Sequence, residues 1–291
     1  MLAWDVVPPE RARMARDAAD FADRILFEDE HLLVVDKPAG LLSVGHEGAK
    51  GRCVLDELRA LGRPVAPVHR LDRDTSGALL LSRAPHAQRA ALELAFRKHE
   101  VDKHYLALVL GRPQSKRARI ELPILDEGKT ARVDRRGRPA VTHYELLHAV
   151  GEWSVLRCTL ETGRHNQIRV HLAHLGHALL GDRKFGHADP RMQRLAAPRC
   201  MLHAEQLGFV HPATGKPLQV RAPLPADMTE LLAAAGVSTH WPAPRALGER
   251  ASGPRDRNAA GGSRRVSRAS RSRASTRKPT SRGPGRRSPR R

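Results

Sequence analysis

The residues most able to do chemistry are crowded into one stretch, residues 69–77, which reads His-Arg-Leu-Asp-Arg-Asp-Thr-Ser-Gly. It holds two carboxylates, Asp72 and Asp74, beside basic side chains and hydroxyls, and apolar segments flank it on both sides. A polar group between two buried segments is costly to desolvate unless its members pair with each other or perform a reaction. We interpret the stretch as an active-site loop; a solvated turn with local ion pairs is the alternative.

The surrounding sequence predicts the elements that position this loop. Apolar residues at helical spacing predict helices over residues 54–61, 85–100 and 226–235, and another that starts near residue 168. Apolar or alternating runs predict strands at 25–27, 32–35, 103–111, 120–125, 141–147, 153–160, 199–203, 206–212 and 217–222. The segment Lys-Pro-Ala-Gly at 37–40 predicts a turn after the second strand.

Several segments together resemble the RluA-type RNA pseudouridine synthases, over residues 25–236. They are His-Arg-Leu-Asp at 69–72 with Thr-Ser-Gly at 75–77, Lys-Pro-Ala-Gly at 37–40, and the strand around Tyr105. Thr-Gly-Arg-His-Asn-Gln-Ile-Arg at 162–169 continues the resemblance into Gly-Asp-Arg-Lys-Phe-Gly at 181–186. Asn166 and Phe185 depart from the commonest form, which has His and Tyr there, and we expect these changes to affect side contacts rather than catalysis.

The resemblance implies an α+β fold with a mixed, mainly antiparallel sheet, flanking helices and a central RNA-binding cleft. It implies that Asp72 is the catalytic carboxylate, that Arg169 pairs with it, and that Tyr105 stacks on the extruded uracil near its carbon-5 proton. Asp74 is chemically equivalent in the sequence, and only the resemblance separates it from Asp72. Whether the carboxylate attacks the sugar or removes a sugar proton stays open.

The implied reaction is the isomerisation of uridine to pseudouridine in ribosomal or transfer RNA. It exchanges one bond of the uracil ring for another without gaining electrons or groups, so we expect no cofactor. The residues expected to bind RNA or substrate are His69, Arg70, Arg73, Thr75, Arg164, Asn166 and Gln167. A catalytically inactive RNA-binding or ribosome-associated relative of the same fold is the alternative function.

Four histidines, at positions 165, 171, 174 and 177, suggest the alternative hypothesis of a metal site, as in a His-rich metallohydrolase. The His-Glu-x-x-His arrangement is absent, and His171 and His174 lack a neighbouring carboxylate or cysteine to complete a site. We therefore expect no metal. The three cysteines are widely spaced, which fits neither a disulfide framework nor a Cys-x-x-Cys site and predicts reduced, partly buried thiols.

The positive charge is concentrated at one end of the chain. From Arg245 onwards there are 16 Lys or Arg and two acids, so this segment carries +14 of the formal net charge of +20 and leaves +6 for the rest. Excess positive charge attracts polyanions, so we expect RNA as the partner. The composition predicts an N-terminal arm (1–22), a catalytic domain (23–240) and a disordered basic tail (241–291).

Membrane insertion is not expected, because no apolar run approaches the ~20 residues that cross a bilayer. Residues 1–20 also lack the apolar core of a signal peptide. We expect a soluble, cytoplasmic protein that acts as a monomer.

Overall fold

The computed structural model describes residues 21–45, 52–83, 86–128, 130–186, 189–195 and 197–244. Residues 1–20 of the predicted arm and residues 245–291 of the predicted tail lie outside this range, so both segments stay predictions. The helices are α1 (Val54–Ala60), α2 (His86–Arg97), α3 (Gln167–His174), α4 (Pro190–Leu195) and α5 (Ala226–Ala234). The strands are β1 (Ile25–Glu28), β2 (Leu32–Lys37), β3 (Ala66–Pro67), β4 (Ser76–Ser82), β5 (Asp102–Leu110), β6 (Arg117–Glu121), β7 (Ile124–Asp126), β8 (Ala131–Val133), β9 (Val141–Val150), β10 (Trp153–Leu160), β11 (Leu202–Val210) and β12 (Pro217–Arg221).

One large sheet organises the fold. Its strands run in the order β1, β2, β4, β11, β5, β10, β9, β6, with β12 paired to β11 and β3 to β4. Among the described strands, the pairing of β4 with β11 is parallel and the other pairings are antiparallel. β7 and β8 form a separate hairpin. This mixed, mainly antiparallel sheet with packed helices confirms the predicted α+β class.

Strand β5 shows how helices cover both faces of the sheet. Tyr105 and the alternate residues after it pack into an apolar cluster with α1 and α3. The leucines between them pack into a second cluster with α5. Because successive side chains of a strand point to opposite faces, α1 and α3 share the face that carries Tyr105, and α5 covers the other.

The predicted strand at 120–125 is wrong, because the structure has two strands there, β6 and β7, separated by Leu122 and Pro123. Proline has no N–H to donate to a strand ladder. β6 therefore ends against β9, while β7 turns away to pair with β8. The predicted strands at 199–203 and 206–212 are one strand, β11, whose register shifts between Ala204 and Gln206. The short helix α4 was not predicted.

Gly77 sets how closely β4 and β11 approach. Its φ is +110°, and a Cβ at this position would lie 2.2 Å from the Ala204 carbonyl oxygen. Only glycine fits such a conformation and such a contact. Since Gly77 ends the chemistry-rich loop, the loop runs directly into the parallel strand pair at the centre of the sheet.

Cys53, Cys158 and Cys200 are free, as predicted, and all three are buried rather than partly buried. Burial raises the pKa of the Cys158 thiol to about 12, which keeps it protonated. In the part of the chain that the structure describes, no helix is both long and apolar enough to cross a bilayer.

Candidate active site

The loop between β3 and β4 is held by a serine that lies beneath it. Ser43 Oγ donates to the Leu71 carbonyl at 2.9 Å and accepts from the Leu71 N–H at 3.0 Å. The Leu71 side chain is itself buried in the core. The Thr75 N–H donates to the Asp72 carbonyl at 3.1 Å. These contacts fix the backbone on both sides of the Asp72 side chain.

Lys37 supports the same loop from the end of β2. Its side chain is fully buried, and Nζ donates to the carbonyls of Pro38, Leu41 and Arg73 at 2.9, 2.8 and 3.0 Å. Burial lowers the pKa of Lys37 to about 7, although nearby aspartates favour its charged form. The Lys-Pro-Ala-Gly segment is a turn, as predicted, and it also ties β2 to the active-site loop.

The loop borders a cavity of about 300 Å³. Asp72, Tyr105 and Arg169 all line it, so the three predicted catalytic residues come together from the loop, from β5 and from α3. The Asp72 carboxylate accepts no hydrogen bond and forms no ion pair with any residue that the structure describes. Asp74 is exposed and does not line the cavity. The structure therefore separates two carboxylates that the sequence leaves equivalent.

Tyr105 presents its ring to this cavity from β5. The residue is only 8% exposed. Burial, and then the negative charge of Asp72, raise the pKa of the Tyr105 phenol. The phenol is therefore neutral at physiological pH and can donate or accept a hydrogen bond.

Arg169 pairs with Asp182, so the prediction that it pairs directly with Asp72 is wrong. Its Nε and Nη2 donate to the two carboxylate oxygens of Asp182 at 2.8 and 2.9 Å, and Nη1 donates to Asn166 Oδ1 at 2.7 Å. Burial disfavours the charged guanidinium, but Asp182 outweighs it and the pKa of Arg169 is raised. Asp72 acts on Arg169 through its charge alone. Arg169 is thus a fixed positive charge near Asp72.

Asp182 is a site residue that the sequence analysis missed. Its side chain is fully buried and also accepts the backbone N–H groups of Lys184 and Phe185 at 2.9 and 3.1 Å. Burial alone would raise the pKa of Asp182, but the hydrogen bonds from Arg169 and the backbone lower it. The Gly-Asp-Arg-Lys-Phe-Gly segment was the available signal. Sequence spacing does not show that Arg169 is the ion-pair partner of Asp182.

The model of the RNA pseudouridylate synthase family matches residues 31–174, a range that includes the loop, β5 and α3. A relative from Zymomonas mobilis, named ribosomal large subunit pseudouridine synthase D, is 38% identical over 228 residues that cover 72% of this chain and 71% of the relative. The chain belongs to the RNA pseudouridylate synthase family. A second relative, ribosomal large subunit pseudouridine synthase C of Pasteurella multocida, is 39% identical over 222 residues that cover 72% of this chain and 67% of the relative.

Solved structures agree with this membership. The human protein RNA Pseudouridylate Synthase Domain Containing 4 has the same fold, with a TM-score of 0.65 and 23% identity over 78% of this chain and 98% of that one. Human RNA Pseudouridylate Synthase Domain Containing 1 gives a TM-score of 0.58 and 26% identity over 69% of this chain and 83% of that one. The predicted resemblance to RluA-type enzymes is confirmed. The chain is an isomerase that converts uridine to pseudouridine in RNA.

Most of the residues predicted to bind RNA or substrate line the cavity of this pseudouridine synthase. They are Arg70, Thr75, Arg164, Asn166 and Gln167. Gln167, however, uses both polar atoms of its side-chain amide for hydrogen bonds within the protein. Oε1 accepts from the Thr162 hydroxyl and from the Arg164 N–H, and Nε2 donates to the Val141 carbonyl and to the Thr142 hydroxyl. It braces the start of α3, so its prediction as a substrate ligand is wrong.

Asn166 helps to position Arg169. Its backbone is left-handed, with φ of +54°, a conformation that asparagine tolerates better than most residues. The side chain lies at the first turn of α3 and accepts from Arg169 Nη1. The departure from the commonest family residue at this position therefore keeps a polar contact to the guanidinium.

His69 does not line the cavity, and its contact with RNA stays a prediction. Its Nε2 accepts from the Leu80 N–H at 2.9 Å, and its ring stacks on Phe96 at a centroid distance of 4.4 Å. Burial, with a smaller effect of Lys103, lowers the pKa of His69 to about 3, so the ring is neutral. Arg73 is exposed outside the cavity lining, and its contact with RNA stays a prediction.

Among the four histidines considered as metal ligands, His171 and His165 form other polar contacts. His171 Nε2 donates to the Leu122 carbonyl and its Nδ1 accepts from the Thr142 hydroxyl, both at 2.9 Å. His165 Nδ1 lies 3.1 Å from a carboxylate oxygen of Asp126 at the rim of the cavity. Within the described ranges, no group of three His, Cys, Asp or Glu side chains could hold a metal ion.

Proposed function

We propose that this pseudouridine synthase modifies large-subunit ribosomal RNA, with Asp72 as the carboxylate that acts on the uridine sugar. The observation that carries the assignment is the unpartnered Asp72 carboxylate, which shares its cavity with Tyr105 and Arg169. The target is supported by the names of the relatives, which are ribosomal large subunit enzymes. Transfer RNA is the alternative target.

The chemistry requires a free carboxylate. The bond from sugar C1′ to ring N1 breaks, a bond from C1′ to ring C5 forms, the C5 proton leaves and N1 becomes protonated. Asp72 starts this sequence either by attacking the sugar or by removing a sugar proton. Because Arg169 donates to Asp182 and Asn166 and not to Asp72, the Asp72 oxygens stay available to the sugar while the guanidinium charge stabilises them electrostatically.

Tyr105 supplies a flat ring against which the extruded uracil stacks, and its phenol lies near the C5 proton. The raised pKa keeps the phenol neutral, so it passes the proton on as a hydrogen-bonding relay rather than as a phenolate base. Thr75 and Asn166 complete the polar lining. A uridine within a helix must be flipped out at a cost of a few kcal/mol, which favours targets in loops.

The remaining expectations rest on composition. Excess positive charge over the body and the predicted tail favours RNA through the release of its counterions. Cytoplasmic location, a monomeric state and the absence of a cofactor stay predictions. An inactive RNA-binding relative is disfavoured because Asp72, Tyr105 and Arg169 all meet in the cavity.

Tritium release tests both the chemistry and the target. Unmodified transcripts of large-subunit ribosomal RNA and of transfer RNAs, labelled with tritium at uridine C5, are incubated separately with the protein. We expect release from the ribosomal transcript, loss of release in Asp72→Asn, and retained release in Asp74→Asn. Asp74→Asn is the matched control because Asp74 undergoes the same chemical change outside the cavity.

Each other outcome changes a different part of the proposal. Release from transfer RNA alone would overturn the ribosomal target and leave the chemistry intact. Activity that survives Asp72→Asn and disappears in Asp74→Asn would assign the catalytic role to Asp74 instead of Asp72. No release from either RNA by a folded protein that still binds them would support the inactive relative.

A further inference from the structure

Two arginines at the mouth of the Asp72 cavity carry charge that no described carboxylate neutralises. Arg138 precedes β9, Arg164 precedes α3, and both line the cavity. Arg164 Nε donates to the carbonyl of Pro139 at 3.0 Å, which places its guanidinium beside the residue that follows Arg138. Neither guanidinium has an ion-pair partner within the described residues.

The two guanidinium groups are close enough to influence each other. Burial, and then the charge of Arg138, lower the pKa of Arg164. Asp126, a carboxylate at the same rim, is already engaged by His165 at 3.1 Å and by the Gly128 N–H at 2.9 Å. Like charges held together repel each other, and an anion bound between them would remove that repulsion.

A backbone bridge to the first residue of β7 holds Arg138 at this position. Its backbone N–H donates to the Ile124 carbonyl at 2.9 Å, and its carbonyl accepts from the Ile124 N–H at 3.0 Å. The preceding Gly137 permits this close approach, because a Cβ there would lie 2.3 Å from the Ile124 carbonyl carbon. The segment that follows β8 therefore pairs with the first residue of β7 and presents Arg138 to the active site.

Two arginines near Arg138 are already neutralised by a carboxylate. Arg136 Nε and Nη2 donate to the Asp134 carboxylate at 3.0 and 2.9 Å, and Arg132 Nη2 reaches the same carboxylate at 3.0 Å. Arg132 and Arg136 thus pair with Asp134 within the protein, whereas Arg138 lines the cavity and has no ion-pair partner among the described residues.

We propose that Arg138 and Arg164 form a binding subsite for a phosphodiester group that flanks the target uridine. When the sugar lies against Asp72, the adjoining backbone phosphate remains at the cavity mouth, where the two guanidinium groups supply charge and several N–H donors. Such a contact fixes the register of the RNA strand without reading a base. This inference rests on the proposed function, since it requires uridine in the cavity.

The test compares three variants of the full chain, Arg138→Gln, Arg138→Lys and the control Arg136→Gln. Dissociation constants for a short fluorescein-labelled oligouridylate are measured between about 50 and 200 mM KCl. Loss of one phosphate contact lowers the slope of log Kd against log salt by about 0.7 for a single strand. We expect this lower slope and about tenfold weaker binding in Arg138→Gln, because a hydrogen bond to a charged group is lost.

The other two variants identify the cause. Arg136→Gln removes the same charge from the same segment between β8 and β9 and should retain the wild-type slope, because Asp134 already neutralises Arg136. Arg138→Lys keeps the charge and should restore the slope. Equal slopes in Arg138→Gln and Arg136→Gln would overturn the subsite, as would a lysine variant that behaves like glutamine.

Failure of the subsite and failure of the proposed function give different results. The salt dependence is measured without turnover, whereas tritium release by the wild-type protein reports turnover alone. Tritium release by the wild type, together with an unchanged salt slope in Arg138→Gln, would support the proposed enzymatic function and reject the phosphate subsite. A slope change without release would retain a phosphate site in a protein that lacks the proposed activity.

Discussion

The Asp182 carboxylate accepts hydrogen bonds from Nε and Nη2 of Arg169, at 2.8 and 2.9 Å, and Asp72 makes no hydrogen bond to that arginine. This arrangement gives the two aspartates different tasks. Asp182 holds the cation in place, while Asp72 experiences its charge and keeps both oxygens free. The proposed catalytic carboxylate is thereby stabilised by a nearby positive charge, and no internal ion pair blocks its oxygens.

Asp182→Asn should therefore impair both stability and turnover. Removing one partner of a buried ion pair leaves an uncompensated charge and costs about 3–5 kcal/mol in the free energy of unfolding. The released guanidinium would also turn toward Asp72, and we expect turnover to fall at least about tenfold, the effect of about 1.4 kcal/mol. Urea denaturation and tritium release measure the two effects.

Asp189→Asn is the control for this change. Asp189 pairs with Arg191 at 2.6 Å, but both side chains are partly exposed, so the loss should stay below about 1 kcal/mol. Equal losses in the two variants would mean that the burial of the Arg169–Asp182 pair has no energetic consequence.

Asp72→Asn should change activity without changing stability. The carboxylate has no hydrogen-bond partner to lose among the described residues, so the free energy of unfolding should remain within about 1 kcal/mol of the wild type. Urea denaturation checks this value in the same preparation that fails to release tritium. A loss as large as that of Asp182→Asn would instead identify Asp72 as a structural partner.

His69 should make the stability of the protein depend on pH. Its pKa is about 3 in the folded state, below the value of about 6.5 in an unfolded chain, so the unfolded state binds more protons between these values. Stability should therefore rise as the pH rises from about 3 to about 6.5, and the full contribution should be present above that range.

His69→Gln isolates this effect, because a glutamine oxygen can still accept from the Leu80 N–H. The stability of the wild type relative to the variant should fall by on the order of 1–3 kcal/mol between pH 7 and pH 4. Chemical denaturation at each pH gives this difference. If the difference is independent of pH, the ring is not held neutral in the fold.

Tyr105→Phe should lower turnover while preserving binding. The ring that stacks on uracil remains, whereas the phenol that relays the C5 proton is lost, so we expect turnover to fall about a hundredfold or more with little change in KM. Tritium release at several RNA concentrations separates the two constants.

Tyr144→Phe is a matched control, since Tyr144 is the second of two tyrosines, is also buried, and lies outside the cavity lining. It should retain wild-type turnover. Full activity in Tyr105→Phe would reduce the role of Tyr105 to stacking.

Local sequence patterns carried much of the fold and the reaction class. The nearly continuous apolar run at residues 103–111 predicted the buried strand β5, because burial on both faces of a sheet requires continuous apolar residues. The segments around Asp72, Tyr105 and Arg169 each lie on one loop, strand or helix start, so their motifs could be recognised without knowing the contacts between them. These residues do line one cavity.

Tertiary structure decided the partners. β11 inserts between β4 and β5, a long-range pairing that sequence order does not indicate. The burial of His69 against Phe96, the pairing of Arg169 with Asp182 and the approach of Arg138 to the cavity all depend on that packing. The partner of a charged group or a ring nitrogen depends on distance and burial in the folded chain. Neither quantity can be read from residue type and spacing along the sequence.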